Sequence, residues 1–256
     1  MNTHFLILLF TVFFLQFLYT DARKTRTTTS STTDDDDAYV TRVKGYIDDG
    51  TCAETSKTTT CGDDATSYYN EFTYNGNRVV IVNGIPDHPA ENDALDPNPN
   101  ERCEVWQFMS VPMNPVKGDS AIETKLGVTA LAVTGGTFYN YLSNSDGSVA
   151  LYNEGTSLDS CMGHSDPDKQ YHYHANLLCE DAGAGDGADD ADQCVHLGYM
   201  RDGVPVYGYC KDSSGTQFTS CYSVLSTSET EIIETVAGDF EVASNISDYE
   251  FDQVVY

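Results

Sequence analysis

From about residue 40 onward the chain breaks into short apolar runs separated by glycine turns, a rhythm that points to a β fold. "NRVVIVNGIP" reads as a strand running into Asn83-Gly84. "LGVTALAVTGGTFYNYL" reads as two strands about Gly135-Gly136, and "LGYMRDGVPVYGY" as two strands about Asp202-Gly203. Asn-Gly, Gly-Gly and Asp-Gly between β-branched and aromatic runs are strong local hairpin signals, because glycine enters positive φ without steric cost. Seventeen tyrosines suit half-buried pleated surfaces, where one face of each ring packs and the hydroxyl reaches water. No long, well-capped segment of 3.6-residue period stands out. The expected class is mainly β, a disulfide-stabilised sandwich or partly closed barrel with long loops.

Residues 1–22 carry one apolar run, Phe5–Phe14, resumed at Phe17 and Leu18, and then a small-residue exit at Thr20 and Ala22. That is short for a membrane span and reads as a secretory signal peptide; an uncleaved anchor is the alternative and the one route to membrane contact. Residues 23–39, a basic knot followed by Thr/Ser and Asp runs, read as a disordered stalk. The β domain is expected over 40–225. An acidic segment over 226–256 either completes it or trails from it. "EDAGAGDGADDADQ", residues 180–193, lacks the ligand spacing of a calcium loop and reads as a flexible insertion.

The formal charge is −27, from 13 basic and 40 acidic residues. Such a field repels nucleic acid and anionic lipid and favours cations. Eight cysteines, Cys52, Cys61, Cys103, Cys161, Cys179, Cys194, Cys210 and Cys221, behind a signal peptide read as disulfides of a secreted or cell-surface protein. Their pairing is open, with Cys52–Cys61 and Cys161–Cys179 the attractive local pairs. Oxidised sulfurs are not thiolate ligands, which argues against a Cys/His zinc finger. Asn245-Ile246-Ser247 is a glycosylation sequon.

Half of the six histidines fall in "GHSDPDKQYHYH", residues 163–174. Pro167 and its flanking aspartates are turn chemistry. A hairpin closed around Pro167, Asp168 and Lys169 sets Asp166 opposite Gln170 and His164 opposite His172. Residues two apart in a strand share a face, so His174 joins them while Tyr171 and Tyr173 point the other way. Cross-strand Cβ atoms lie about 5 Å apart, close enough for ring nitrogens to reach one ion. Three imidazoles suit Zn²⁺ or Cu²⁺ rather than Ca²⁺ and leave a fourth place for water, with neighbouring carboxylates able to fix the tautomers. The bland alternative is a set of separately hydrogen-bonded histidines. Spacing alone leaves His88 in a loop and His196 at the edge of the core.

With these residues assembled, the sequence resembles the YHYH-domain family. The likeness rests on "VNGIPDHP", "DPNPN", "FMSVPMNPV", "VALYNEGTSLDSCMGHSDPDKQYHYH" and "LGYMRDGVPVYGYC", which together cover about residues 79–210. Several ordered motifs are hard to obtain by chance. The resemblance implies a secreted or surface-attached β-rich domain without an assigned reaction, and it groups His88, His164, His172, His174 and Asp202 as one site. Many members close with a second Tyr-His-Tyr-His segment. Here "SDYEFDQVVY" puts Glu250 and Asp252 where histidines would stand, which makes them candidate carboxylate ligands. Asp87, Asp159, Asp166 and Asp202 are further candidates for ligation or for holding the imidazoles.

Three functions follow as expectations. The first is a secreted protein binding a divalent metal through its histidine cluster. The second is a metal-dependent hydrolase or oxidase, with Asp166 or Asp87 as base. The third is a surface or matrix protein that binds cell-surface or matrix components and performs no catalysis. No Gly-x-Ser-x-Gly elbow, phosphate loop or dinucleotide fingerprint occurs, so no organic cofactor is expected.

Overall fold

The computed structural model describes residues 34–90, 94–95, 98–118, 124–143, 147–175, 195–208, 214, 222–225, 228–245, 247 and 249–251. The expected signal peptide, residues 23–33 of the stalk, the 180–193 insertion, Asp252 and the cysteines at 179, 194, 210 and 221 lie outside them.

The first element departs from expectation. Asp34–Asp48 is a helix, α1, taking in residues 34–39, which composition alone places in the stalk. Tyr39, Val43 and Tyr46 recur at spacings of four and three, so they share a face. Tyr39 and Val43 are buried against Val79, Ile81, Trp106 and Phe108, with Tyr46 packed alongside. Burial of this face, rather than capping, is what the helix depends on.

The wall behind α1 is an antiparallel sheet of β1 (Ala53–Cys61), β2 (Tyr69–Tyr74), β3 (Asn77–Val82) and β4 (Cys103–Pro112), in the order β1-β4-β3-β2. The β2–β3 hairpin turns on Asn75 and Gly76, both at positive φ, at 49° and 80°. That is the conformation for which Asn-Gly is selected in two-residue hairpins.

The second sheet contains β5 (Val128–Ala132), β6 (Thr137–Tyr139), β7 (Gly163–Ser165), β8 (Tyr171–Tyr173), β9 (Val195–Met200) and β10 (Pro205–Gly208). Its order is β10-β9-β5-β6-β8-β7, with β6 and β8 parallel. A short helix, α2 (Ala150–Glu154), continues into a 3₁₀ turn at Gly155–Ser157. The C-terminal part adds β11 (Tyr222–Val224), β12 (Glu231–Thr235), β13 (Gly238–Val242) and β14 (Tyr249–Phe251), paired β11 with β14 and β12 with β13.

The architecture is mainly β, with no closed sheet among the described residues. The two large sheets pack as a sandwich through Val80, Val82, Met109 and Val111 on one side and Leu131 and Tyr199 on the other. Arg78 locks them together. It pairs with Glu71 of β2, donates to the Tyr199 hydroxyl at 2.7 Å, and lies 4.1 Å over that ring.

Cys61 and Cys103 face each other across the β1–β4 ladder and form a disulfide. This corrects the expected Cys52–Cys61 pair; Cys52 is a free, exposed thiol. Cys161 is also disulfide-bonded. No helix among the described residues is long and apolar enough to cross a membrane.

Candidate metal centre

The β7–β8 hairpin forms in the expected register. His164 pairs with His172, Gly163 with Tyr173 and Ser165 with Tyr171. Asp166 N donates to Gln170 O at 3.1 Å, and Lys169 N to Asp166 O at 2.8 Å. Lys169 takes the left-handed conformation, φ 68°, that ends a three-residue hairpin loop. A second hold comes from outside the hairpin. The side-chain amides of Asn98 and Asn100 both donate to Ser165 O, at 2.7 and 3.1 Å. The "DPNPN" motif therefore secures the free edge of β7, one residue from His164.

Alternation along β8 separates two faces. Tyr171 and Tyr173 are buried with Ala90, Ala132, Cys161 and Leu197. The histidines gather on the opposite face, with ring centroids 4.7 Å apart for His164–His172, 4.7 Å for His172–His174 and 5.3 Å for His164–His174. α2 brings a fourth group to this face. Glu154 Oε2 lies 3.1 Å from His164 Nε2 and 3.1 Å from His174 Nε2, and His172 Nε2 is 2.9 Å from His174 Nε2. One donor atom from each of Glu154, His164, His172 and His174 falls within 4.8 Å of all the others.

The surrounding hydrogen bonds decide which ring nitrogens carry lone pairs. His172 Nδ1 must donate to the Gln170 carbonyl, 3.1 Å away, which leaves its Nε2 as an acceptor. Ser157 Oγ gives its one proton to Glu154 O at 2.7 Å, so it accepts from His164 Nδ1 at 2.9 Å. His164 Nε2 is then also a lone pair, and it faces a carboxylate oxygen. Two acceptors in apposition require a proton or a cation between them. His174 Nδ1 is buried with no hydrogen-bond partner among the described residues, so its tautomer there follows whatever its Nε2 meets. Outer hydrogen bonds that turn imidazole lone pairs inward are what metal-binding histidines ordinarily have.

Protonation states agree with this arrangement. Burial, followed by the neighbouring His174 and His164, pushes the His172 pKa well below the ordinary histidine value, so its ring is neutral. Burial opposes ionisation of Glu154, but a proton held between it and His164 Nε2, followed by hydrogen bonds from His174 and Ser143, outweighs burial and holds the carboxyl below its usual range. Tyr139 stacks on His172 with centroids 3.7 Å apart and planes 13° apart. Its hydroxyl donates to Asp166 Oδ2 at 2.6 Å. Burial and this bond raise the phenol pKa and keep the proton on it.

Other expected site residues stand elsewhere. His88, grouped with the cluster by resemblance, is on the tyrosine side. Its Nδ1 donates to Pro89 O at 3.0 Å, and its Nε2 accepts from Tyr173 Oη at 2.6 Å. Asp87 also acts on that side, where its charge helps raise the Tyr173 pKa after burial has done most of it. Asp159 accepts from the Tyr171 hydroxyl at 2.7 Å. Asp166 serves the turn and Tyr139 rather than a ring nitrogen. Asp202 accepts from Val204 N in the exposed β9–β10 turn. Glu250 sits on β14, paired with Ser223. His196 contacts Tyr199 and Tyr207.

A family model described as YHYH protein matches residues 58–254. The chain belongs to the YHYH family. No curated protein and no solved structure matches it. The YHYH region includes all four convergent residues and the C-terminal strands, whereas α1 precedes it.

Within this YHYH protein, Glu154 and Ser157 are the positions of the candidate site that sequence reasoning missed. Glu154 lies inside the motif "VALYNEGTSLDS", ten residues before His164, and the one available signal was an acid in that motif. Ser157→Ala is expected to weaken ion binding about 10- to 100-fold, the usual cost of losing a group that orients a ligand. A competition titration against a chromogenic chelator measures it.

Proposed function

We propose that this YHYH protein is a secreted metal-holding domain in which His164, His172, His174 and Glu154 bind one Zn²⁺ or Cu²⁺ that serves the fold. The carrying observation is the convergence of four donors with two imidazole tautomers already turned inward. An ion about 2.0–2.1 Å from each ligand sets tetrahedral neighbours about 3.4 Å apart. The closest donor pairs, at 2.9–3.1 Å, contract little from that spacing. Ca²⁺ requires six to eight oxygens, and this set offers one carboxylate.

Catalysis is the weaker reading. A catalytic zinc site keeps a coordination place open, and Glu154 takes the place that three histidines alone would leave to water. The expected bases are also engaged. Asp166 accepts from Tyr139 and Gln170, and Asp87 stands on the tyrosine side. The test is elemental analysis of protein secreted by its own host and purified without metal-affinity resin. One zinc or copper per chain is expected. Absence of both overturns the proposal and leaves a disulfide-bonded surface or matrix module.

A further inference from the structure

The donors of the centre divide into two mechanical halves. His164, His172 and His174 sit on one hairpin bonded into the six-stranded sheet and secured by Asn98 and Asn100. Glu154 arrives separately, at the end of a five-residue helix. So short a helix does not hold itself in water, and its position must come from contacts.

Some of those contacts are local, with Ala150 N donating to Tyr141 O at 2.8 Å and Ser143 bonded to Glu154, and the others come from the C-terminal strands, some 80 positions away in sequence. Gly155 lies so close under β12 that a Cβ there would meet Ile233 Cγ2 at 2.5 Å and Thr235 Cγ2 at 3.5 Å. Tyr152 Oη donates to Glu231 Oε1 at 2.8 Å, and Val149 N donates to Ser244 O at 2.8 Å. The α2 segment is thus held against the histidine face at both ends. Glu154 is also the most solvent-exposed ligand, its side chain 23 % exposed against 3 % for His174.

We infer that the β12–β13 hairpin is the positioning element of the metal centre's fourth ligand: Ile233 and Glu231, neither touching the ion, keep Glu154 in the coordination shell. This rests on the metal reading above. Loosening the strap leaves a three-histidine site with a place open to a small anion or water, the form that metal chemistry on a substrate would need.

The test uses the full secreted chain reconstituted with Co²⁺, whose visible absorption reports coordination, and azide as the probe of an open position. Wild-type protein is expected to give a four-coordinate spectrum that azide does not change. Glu231→Ala/Ile233→Ala is expected to shift toward the spectrum of Glu154→Ala and to acquire an azide-dependent change, while still binding one Co²⁺. If the double variant only melts earlier, its spectrum unchanged and insensitive to azide, the hairpin is mere structural support and the inference is overturned. If Glu154→Ala matches wild type, or wild type binds no Co²⁺, the metal reading itself fails. Should the double variant not fold, Tyr152→Phe, which removes the hydrogen bond to Glu231 and keeps the ring, and Ile233→Ala alone, which removes the group over Gly155, provide the same two readouts.

Discussion

His172→Ala is expected to empty the centre and lower the melting temperature by roughly 8–16 °C. An ion present at 1,000 times its dissociation constant stabilises the folded chain by about 4 kcal/mol. A domain of this size loses about 2–4 °C per kcal/mol. His172 is the most buried of the three imidazoles, and the Tyr139 ring covers one of its faces. Alanine therefore removes a ligand and a packed ring together. Chelator treatment separates the two effects. Wild-type protein should lose most of the difference on chelation, and His172→Ala should not respond. Equal melting temperatures for the two, neither sensitive to chelator, would sink the metal reading. Acid should act in the same direction. The folded-state pKa of His172 is lowered, so its neutral ring costs nothing above the unfolded value near 6.5 and becomes a growing penalty below it. The pKa of Glu154 is lowered as well, so its contribution is present above the ordinary carboxylate range and is lost as pH falls. Protons also compete with the ion for the same lone pairs. Ion release, followed with a zinc dye, is expected between about pH 7 and pH 5.

The parts of this molecule legible in its sequence are those fixed by local geometry. Turn chemistry at Pro167–Lys169 sets the register, and period-two alternation then sorts three histidines from two tyrosines without knowledge of the rest of the fold. The Gly135-Gly136 and Asp202-Gly203 hairpins were readable for the same reason. What stayed hidden depends on non-local packing. Glu154 reaches the histidines because β12, far along the chain, presses α2 onto them. The Cys61–Cys103 bridge follows from the β1–β4 register across 42 residues, and no spacing rule supplies that register. α1 buries a stripe of Tyr39 and Val43 that becomes meaningful when β3 and β4 are set beside it. His88 shows a different limit. Motif resemblance collected it with the other histidines, but it lies in the loop after β3, bonded to Tyr173 on the face of β8 opposite the histidine cluster.

The second large effect concerns a residue on that tyrosine face. Asp159→Ala is expected to cost about 3–5 kcal/mol, because a buried donor stripped of its acceptor costs about 1–3 kcal/mol and this carboxylate serves three. Asp159 is 2 % exposed. One oxygen accepts from Cys161 N at 2.9 Å and Gly163 N at 3.1 Å, and the other from the Tyr171 hydroxyl at 2.7 Å. These bonds fold residues 159–163 into a tight loop that includes Met162 at φ 66°, a conformation a non-glycine residue keeps only when its surroundings enforce it. The loop delivers the chain into β7 at Gly163, where the Tyr171 ring leaves no room for a Cβ. His164 is the next residue, so slack in this loop spreads into the candidate metal centre. Tyr171→Phe removes one of these bonds and leaves one buried carboxylate oxygen without that donor, and should cost about 1–3 kcal/mol. Because the two changes share a bond, their combination should cost less than the sum of the singles. Urea unfolding of chelator-treated proteins isolates the loop from the ion. A loss below about 1 kcal/mol for Asp159→Ala would mean that water replaces the carboxylate, and that the aspartate of the family motif does not organise the fold around the centre.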